Sequence, residues 1–201
     1  MWFKHSFLFM KSLAIYCGSS SGHGTTYTDL ARSVGRTMAE RGITLIYGGG
    51  RVGMMGAVAD AALEAGGKVI GVIPYFLNTI ELAHNGCTEL HVVDSMHERK
   101  ALMAKLAEGF VALPGGFGTL DEIFEVVTWS QLARHAWPCA LLDFDGYFTP
   151  LLQCLDGMVP RGFLRQADRD RLISDTDFPT LLAHMNAWKP PVGTKWDQPA
   201  T

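Results

Sequence analysis

The chain has 201 residues, of which 48% are hydrophobic and 18% charged, and its formal net charge is −3. This length and apolar content allow one well-buried core, and no tract is poor enough in apolar residues to predict disorder. The small negative charge argues against a protein that binds nucleic acid or a membrane through a basic face.

Short apolar runs alternate with helical patterns along the chain. The predicted strands are residues 13–17, 43–47, 69–73, 90–93, 110–113 and 140–143. The predicted helices are, approximately, residues 27–41, 54–65, 96–108, 120–134 and 147–158. Several strands are apolar almost throughout, which is typical of parallel strands covered on both faces. The alternation predicts a single α/β domain, doubly wound and Rossmann-like, with a mainly parallel sheet.

The domain is expected to span residues 12–188, without a linker or an internal repeat. Residues 1–11 are interpreted as an N-terminal extension rather than a signal peptide, because their apolar stretch is short and no small-residue cleavage site follows it. Residues 189–201 contain three prolines and are interpreted as a C-terminal tail.

The four cysteines give no sign of a disulfide framework or a metal site. They lie far apart, with no C-x-x-C pair and no His/Cys cluster at zinc spacing. Reduced thiols are typical of a reducing compartment, so a cytoplasmic protein is expected. His97 and Glu98 are adjacent but do not form an H-E-x-x-H motif, and no metal is expected.

Three glycine-rich segments follow predicted strands, at residues 17–22, 48–53 and 114–119. Ligands of doubly wound sheets bind at the carboxyl ends of the strands, near the point where the strand order reverses. The second segment contains G-x-G-x-x-G, but the next strand ends without the acidic residue that a dinucleotide site needs. A loop that approaches one phosphate or a sugar closely is therefore favoured over an NAD site.

The third segment, PGGFGTLDE at residues 114–122, is the most informative. Its glycines let the backbone turn tightly and direct N–H groups at an anion, and the following helix offers its positive dipole end. Thr119 and Glu122 are interpreted as a capping box. A cap alone does not require three glycines before it, so a phosphate loop with a carboxylate beside it is predicted. At the start of a helix, Glu122 is expected to favour its charged form.

Two cations open the helix before that segment. Ser95 and Glu98 form a second predicted capping box, and Arg99 and Lys100 follow it, opposing the helix dipole. A solvated surface pair is one interpretation. Their place after a strand end, beside the glycine loops, favours a role in anion binding.

The helix after Glu122 carries further candidates. Glu125 lies about one turn beyond Glu122 and is expected to face the same way. Thr128 is expected to reach the same edge of the sheet, whereas Trp129 is interpreted as a core or subunit-interface residue. Glu81 is a lone acid in a loop, and its chemistry alone predicts no role.

With these motifs assembled, the chain resembles the Lonely Guy family, the cytokinin riboside 5′-monophosphate phosphoribohydrolases formerly labelled lysine decarboxylases. The resemblance spans about Leu13 to Leu182. Its motifs are CGSS at 17–20, YGGG at 47–50, GMMG at 53–56, GVIP at 71–74, MHERK at 96–100, PGGFGTLDE at 114–122 and TWSQ at 128–131. Phe117 and Asp121 stand where the family more usually has Tyr and Glu.

The resemblance implies hydrolysis of the N-glycosidic bond of a nucleoside 5′-monophosphate, without a cofactor. It implies that Arg99 and Glu122 are the catalytic pair. It also implies that Glu81, Lys100 and Thr128 contact the nucleotide. The spacing of Glu125 from Glu122 suggests that Glu125 contacts the nucleotide too. The phosphate loop would be Gly115, Gly116, Phe117, Gly118 and Thr119. A small-molecule nucleotide is the expected partner, with no nucleic acid or membrane, and a homodimer or larger even assembly is implied.

Two other functions make different demands on the sequence. Lysine decarboxylation requires pyridoxal phosphate on a Schiff-base lysine with an acidic partner for the ring nitrogen, and no lysine here lies in such a setting. A non-catalytic nucleotide or cofactor carrier of similar fold stays the alternative. The preferred base leaves no motif in the sequence.

Overall fold

The computed structural model describes residues 10–79 and 82–191. The strands are β1 (Ser12–Tyr16), β2 (Thr44–Tyr47), β3 (Val69–Pro74), β4 (Glu89–Val93), β5 (Phe110–Ala112), β6 (Cys139–Leu142) and β7 (Leu172–Asp175). The α-helices are α1 (Thr26–Glu40), α2 (Gly53–Glu64), α3 (Met96–Leu106), α4 (Phe117–Gln131), α5 (Thr149–Met158), α6 (Gln166–Arg169) and α7 (Phe178–Ala187). None of these described helices combines the length and apolar character needed to cross a bilayer.

In the described part of the chain the seven strands form one sheet in the order β4-β3-β2-β1-β5-β6-β7. Every neighbouring pair is parallel, so the predicted α/β fold is confirmed and its sheet is parallel throughout. The strand order reverses at β1, which lies between β2 and β5. The crevice for a ligand is therefore expected between the loops that follow β1 and β5.

The apolar runs predict six strands to within one residue at each end, but they do not predict β7, α6 or α7. Strand β7 is short, lies at the edge of the sheet and ends in Ser174 and Asp175. Helix α7 begins where Asp177 accepts a hydrogen bond from the N–H of Thr180 at 2.9 Å. Edge position allows polar residues in β7, which removes the apolar signal that identified the other strands.

The core lies on both faces of the sheet, because successive residues of each strand point to opposite sides. On β1, Leu13 and Ile15 pack with α1, α2 and α7, whereas Ala14 and Tyr16 pack with α3, α4 and α5. All four side chains are at most 2% exposed. This two-sided burial fixes the end of β1, and with it the start of the first glycine-rich loop.

Helices α1 and α2 pack closely enough that Gly35 has no room for a side chain. A Cβ at this position would lie 2.1 Å from the carbonyl oxygen of Val58 on α2. The obstacle is backbone, so it cannot move aside without shifting a helix. The absence of a side chain at Gly35 therefore sets the distance between the two helices.

We expect Gly35→Ala to lower the free energy of unfolding by about 1–3 kcal/mol, the usual cost of overpacking a core. Helix propensity alone favours Ala over Gly by about 1 kcal/mol, so the sign of the change identifies the steric effect. Urea unfolding measures it. Gly157→Ala in α5 is the matched control, because the nearest atom to its added Cβ is the mobile end of Arg161. A Gly35→Ala protein as stable as the wild type contradicts the close packing.

Candidate active site

The loops after β1 and β5 lie side by side at the predicted crevice, where the N–H of Gly18 donates to the carbonyl of Pro114 at 3.1 Å. A cavity of about 250 Å³ opens next to them. It is lined by Cys17, Gly18, Ser19, Met55, Arg99, Gly116, Phe117, Gly118, Thr119 and Glu122. The structure therefore brings the glycine loop together with the two residues expected to be catalytic.

Arg99 and Glu122 form a buried ion pair at the bottom of this cavity. Nη1 of Arg99 donates to Oε1 of Glu122 at 2.6 Å, and both side chains are 9% exposed. Nε of Arg99 also donates to the carbonyl oxygen of Val72 at the end of β3, at 3.1 Å. These two bonds hold the guanidinium between β3 and α4, so its position is fixed before any ligand binds.

The second glycine-rich segment makes room for this arginine. A Cβ on Gly48 would lie 1.9 Å from Nη2 of Arg99, and one on Gly53 would lie 2.2 Å from the carbonyl oxygen of Ser19. At these two positions the close approach is to protein groups, and the predicted approach of this segment to a phosphate or a sugar stays a prediction. Gly48 therefore acts on the site through the placement of Arg99.

Helix α4 begins earlier than the sequence predicted. Its first residue is Phe117 and its N-cap is Gly116, which supplies no side-chain cap. The predicted capping box of Thr119 and Glu122 is therefore wrong, because the glycines let the helix start three residues sooner. Glu122 lies in the second turn and makes its bond to Arg99 instead.

Burial raises the pKa of Glu122 above its ordinary value, and the positive charge and hydrogen bond of Arg99 oppose that rise. The expectation that Glu122 would favour its charged form is therefore wrong, because burial outweighs the effect of Arg99 on its pKa. Arg99 is the group that keeps the carboxyl from an even higher pKa. Arg99 therefore affects the pKa of Glu122 as well as its position.

The predicted N-cap of α3 at Ser95 is confirmed, but Glu98 does not close the capping box, because its carboxylate bonds to the N–H of Asp94 instead of that of Ser95. Oγ of Ser95 accepts from the N–H of Glu98 at 3.2 Å, and the Glu98 carboxylate accepts from the N–H of Asp94 at 3.0 Å. This cap fixes the first turn of α3. It thereby sets the direction in which Arg99, in the next turn, points into the cavity.

Lys100 points away from Arg99 and joins α3 to α4. Its Nζ lies 2.9 Å from Oδ2 of Asp121 and 3.2 Å from Oε2 of Glu125. Burial lowers the pKa of Lys100, but the two carboxylates outweigh it and the net shift is upward. Lys100 is therefore a charged bridge between the helices, and its predicted contact with a nucleotide stays a prediction.

Glu125, like Glu122, pairs with a cation of α3, but Glu125 and Thr128 do not line the cavity that holds Arg99 and Glu122. Both line an open groove, and the hydroxyl of Thr128 donates to the carbonyl of Phe124 at 2.7 Å. The groove is also lined by Phe117, Leu120, Asp121, Phe124 and Trp129. Glu81 lies outside the described residues.

Sequence reasoning did not single out Ser19, Met55 or Tyr147. Ser19 and Met55 line the cavity, and Tyr147 lines a second cavity of about 280 Å³ that shares Gly18, Ser19 and Gly116 with the first. Ser19 and Met55 belong to the CGSS and GMMG motifs, which could have identified them, whereas Tyr147 belongs to no motif. Across the described ranges, no group of three or more His, Cys, Asp or Glu side chains is placed to bind a metal ion.

Comparison with known proteins places this geometry in a family. The profile of the family described as "Possible lysine decarboxylase" matches residues 55–185. The cytokinin riboside 5′-monophosphate phosphoribohydrolase of Rhodococcoides fascians is 49% identical, over 86% of this chain and 88% of that protein. The chain belongs to this family. The Lonely Guy resemblance inferred from the motifs is thereby confirmed.

Two plant members of the Lonely Guy family match at similar levels. The phosphoribohydrolase LOG of Oryza sativa subsp. japonica is 42% identical, over 93% of this chain and 78% of its own. LOG2 of Arabidopsis thaliana is 41% identical, over 90% of this chain and 84% of its own. The likeness therefore extends over nearly the whole domain in bacterial and plant relatives.

Solved structures with the same fold include molybdenum cofactor proteins. The carrier protein MCP of Chlamydomonas reinhardtii matches with a TM-score of 0.66 and 20% identity, over 88% of this chain and 96% of that one. The molybdenum cofactor binding protein of Rippkaea orientalis matches with a TM-score of 0.66 and 17% identity, over 88% and 95%. At these identities the likeness establishes the fold alone.

We expect Arg99→Met to destabilise the protein by about 3 kcal/mol at mildly alkaline pH, because it leaves the buried Glu122 carboxylate without a partner. The pKa of Glu122 in the folded state then rises further above its unfolded value. Stability of this kind is present at low pH and is lost as the pH rises through the folded pKa, so the deficit shrinks on mild acidification. Urea unfolding at two pH values measures this.

The double variant Arg99→Met/Glu122→Gln serves as the control. It removes the titrating carboxyl, so its stability deficit relative to the wild type should be smaller and should lack this growth with rising pH. A deficit in Arg99→Met that is the same at both pH values contradicts the coupling of the pair.

Proposed function

We propose that the protein hydrolyses the N-glycosidic bond of a nucleoside 5′-monophosphate, AMP or a cytokinin riboside monophosphate, to the free base and ribose 5-phosphate. The observation that carries the proposal is the buried pair of Arg99 and Glu122 beside the first turn of α4. Relatives at 41–49% identity are named for this reaction on cytokinin riboside 5′-monophosphates.

The first turn of α4 suits the 5′-phosphate. It holds no acidic residue, and its N–H groups lie at the positive end of the helix dipole. The residues of this turn, from Phe117 to Thr119, line the same cavity as Arg99. A phosphate bound there would be held by backbone donors and would be close to a guanidinium.

The carboxylate of Glu122 suits the glycosidic bond. Cleavage of that bond develops positive oxocarbenium character on the ribose, which an ionised carboxylate can stabilise or attack through an activated water. Burial strengthens this interaction because the surroundings have a low dielectric constant. Arg99 contributes by favouring the ionised form of Glu122.

The size of the cavity is consistent with a sugar phosphate. Pockets that enclose a whole drug-sized ligand measure about 300–1,000 Å³, and this one measures about 250 Å³. The base would therefore extend beyond it. The proposal includes contacts from Lys100, Thr128 and Glu81 on the strength of the family resemblance, and from Glu125 on the strength of its spacing from Glu122.

The same resemblance supports assembly as a homodimer. The chain's domain is proposed to span residues 12–188. A cytoplasmic location is also part of the proposal, supported by the free state of Cys17, Cys87, Cys139 and Cys154.

We expect Glu122→Gln to reduce hydrolysis of AMP by at least about 10²-fold, the usual scale for a positioned acid–base group. Release of adenine measures the rate, and urea unfolding checks that the variant is folded. Glu64→Gln at the exposed end of α2 is the control and should retain wild-type turnover. Near-wild-type turnover in a folded Glu122→Gln protein would exclude a catalytic role for this carboxyl.

We expect AMP to be cleaved far better than adenosine, because binding of the remote phosphate positions the ribose against the reacting groups. Arg99→Ala should lower kcat/KM for AMP by about 10- to 150-fold, the loss of one charge-assisted contact. Because Arg99 also favours the ionised form of Glu122, the rate on adenosine should fall as well, but by a smaller factor than the rate on AMP.

Equal use of AMP and adenosine by the wild-type protein contradicts the phosphate site. Binding of AMP without release of adenine supports the alternative, a carrier that holds its nucleotide intact. One incubation of the purified protein with AMP separates these outcomes.

A further inference from the structure

The three carbonyl groups at the start of the glycine loop all accept hydrogen bonds from other parts of the protein. The carbonyl of Pro114 accepts from the N–H of Gly18 at 3.1 Å, and that of Gly116 accepts from the N–H of Leu120 at 3.1 Å. Between them, the carbonyl of Gly115 accepts from the hydroxyl of Tyr147 at 2.8 Å. Two of these three anchors are backbone groups, and the middle one is a single side chain.

This arrangement decides where the N–H groups point. A peptide unit is planar and trans, so its N–H points opposite to its C=O. The N–H groups of Gly115, Gly116 and Phe117 therefore point away from the three donors. Within residues 10–79 and 82–191 these N–H groups donate no hydrogen bond. They are available to an anion in the cavity that Gly116 and Phe117 line.

The peptide between Gly115 and Gly116 is the one that most needs an anchor. Both of its residues are glycines, which rotate freely between conformations that other residues avoid. Gly115 cannot be made stiffer by a side chain, because a Cβ would lie 2.1 Å from Oγ1 of Thr119. If this peptide turned over, it would present a carbonyl oxygen to the anion in place of an N–H.

Tyr147 is itself held firmly from two directions. Asp143, at the end of β6, accepts from the N–H of Phe148 at 2.5 Å and from the hydroxyl of Thr149 at 2.7 Å, which closes the loop that carries Tyr147. The ring of Tyr147 packs edge-to-face against Tyr27 and Phe148, with centroids 5.9 Å and 5.0 Å away. Its hydroxyl is thus placed by the fold rather than by a ligand.

We propose that Tyr147 is a positioning residue of the phosphate loop, whose hydroxyl holds the Gly115–Gly116 peptide so that the N–H of Gly116 faces the 5′-phosphate. This role rests on the proposed function, since the anion is the phosphate of the substrate. Tyr147 is not part of the lining of the cavity that holds Arg99 and Glu122, and it acts through the backbone. Its loss therefore weakens ligands that carry the phosphate more than ligands that lack it.

Tyr147→Phe removes the hydroxyl and keeps the ring. Tyr27→Phe is the matched control: it makes the same change in the same aromatic cluster, and the Tyr27 hydroxyl makes no hydrogen bond within the described part of the chain. Thermal unfolding verifies that both variants are folded. The measured quantity is the ratio of kcat/KM for AMP to kcat/KM for adenosine.

We expect this ratio to fall about 2- to 12-fold in Tyr147→Phe, the range of one net hydrogen bond, chiefly through a higher KM for AMP. In Tyr27→Phe the ratio should match the wild type. Equal losses on AMP and adenosine would mean a structural role only and would overturn the proposal. So would a Tyr147→Phe protein whose ratio equals that of the control.

Binding of ribose 5-phosphate, measured by calorimetry, separates this proposal from the proposed function. Its Kd should rise by the same factor in Tyr147→Phe and stay constant in Tyr27→Phe. A wild-type protein that binds ribose 5-phosphate without hydrolysing AMP refutes the hydrolase function, and the two Kd values then decide the role of Tyr147 alone. A wild-type protein that does neither overturns both proposals.

Discussion

The pairing of Arg99 with Glu122 is the constraint around which the rest of the site is built. Each charge would be costly at 9% exposure without the other, because ions taken from water into a protein interior need a partner at short range. Arg99 lies on α3, which follows β4 at the edge of the sheet. Glu122 lies on α4, which follows β5, the strand beside the reversal of strand order. The cap of α3, the carbonyl of Val72 and the start of α4 all serve to bring these two groups within 2.6 Å.

Helix α4 separates three tasks by position. Its first turn presents free N–H groups, Glu122 faces Arg99 in the cavity, and Asp121 and Glu125 hold Lys100. Asp121 and Glu125 are therefore paired with Lys100 rather than with Arg99. This division leaves Arg99 as the direct partner of Glu122, and Arg99 opposes the rise in the pKa of Glu122 that burial causes.

The sequence predicted the sheet and the neighbourhood of Arg99, Glu122 and the glycine loop because these features leave local signals. Apolar runs mark strands buried on both faces, and Arg99 and Glu122 stand out as charges beside glycine loops. The start of α4 was misplaced because Thr119 and Glu122 match a capping box, whereas Gly116 needs no cap to begin a helix. Tyr147 leaves no signal at all. Its contact with Gly115 joins residues 32 positions apart and exists only once the fold has formed.

The contact between Gly48 and Arg99 limits how this sequence can change over generations. The guanidinium occupies the space that any side chain at position 48 would fill, since a Cβ there would lie 1.9 Å from Nη2. A larger residue at 48 fits only if the residue at 99 is shorter, and a shorter residue at 99 leaves a buried carboxylate without its partner. A substitution at either position alone therefore lowers stability. The two positions, 51 residues apart in the chain, constrain each other's substitution.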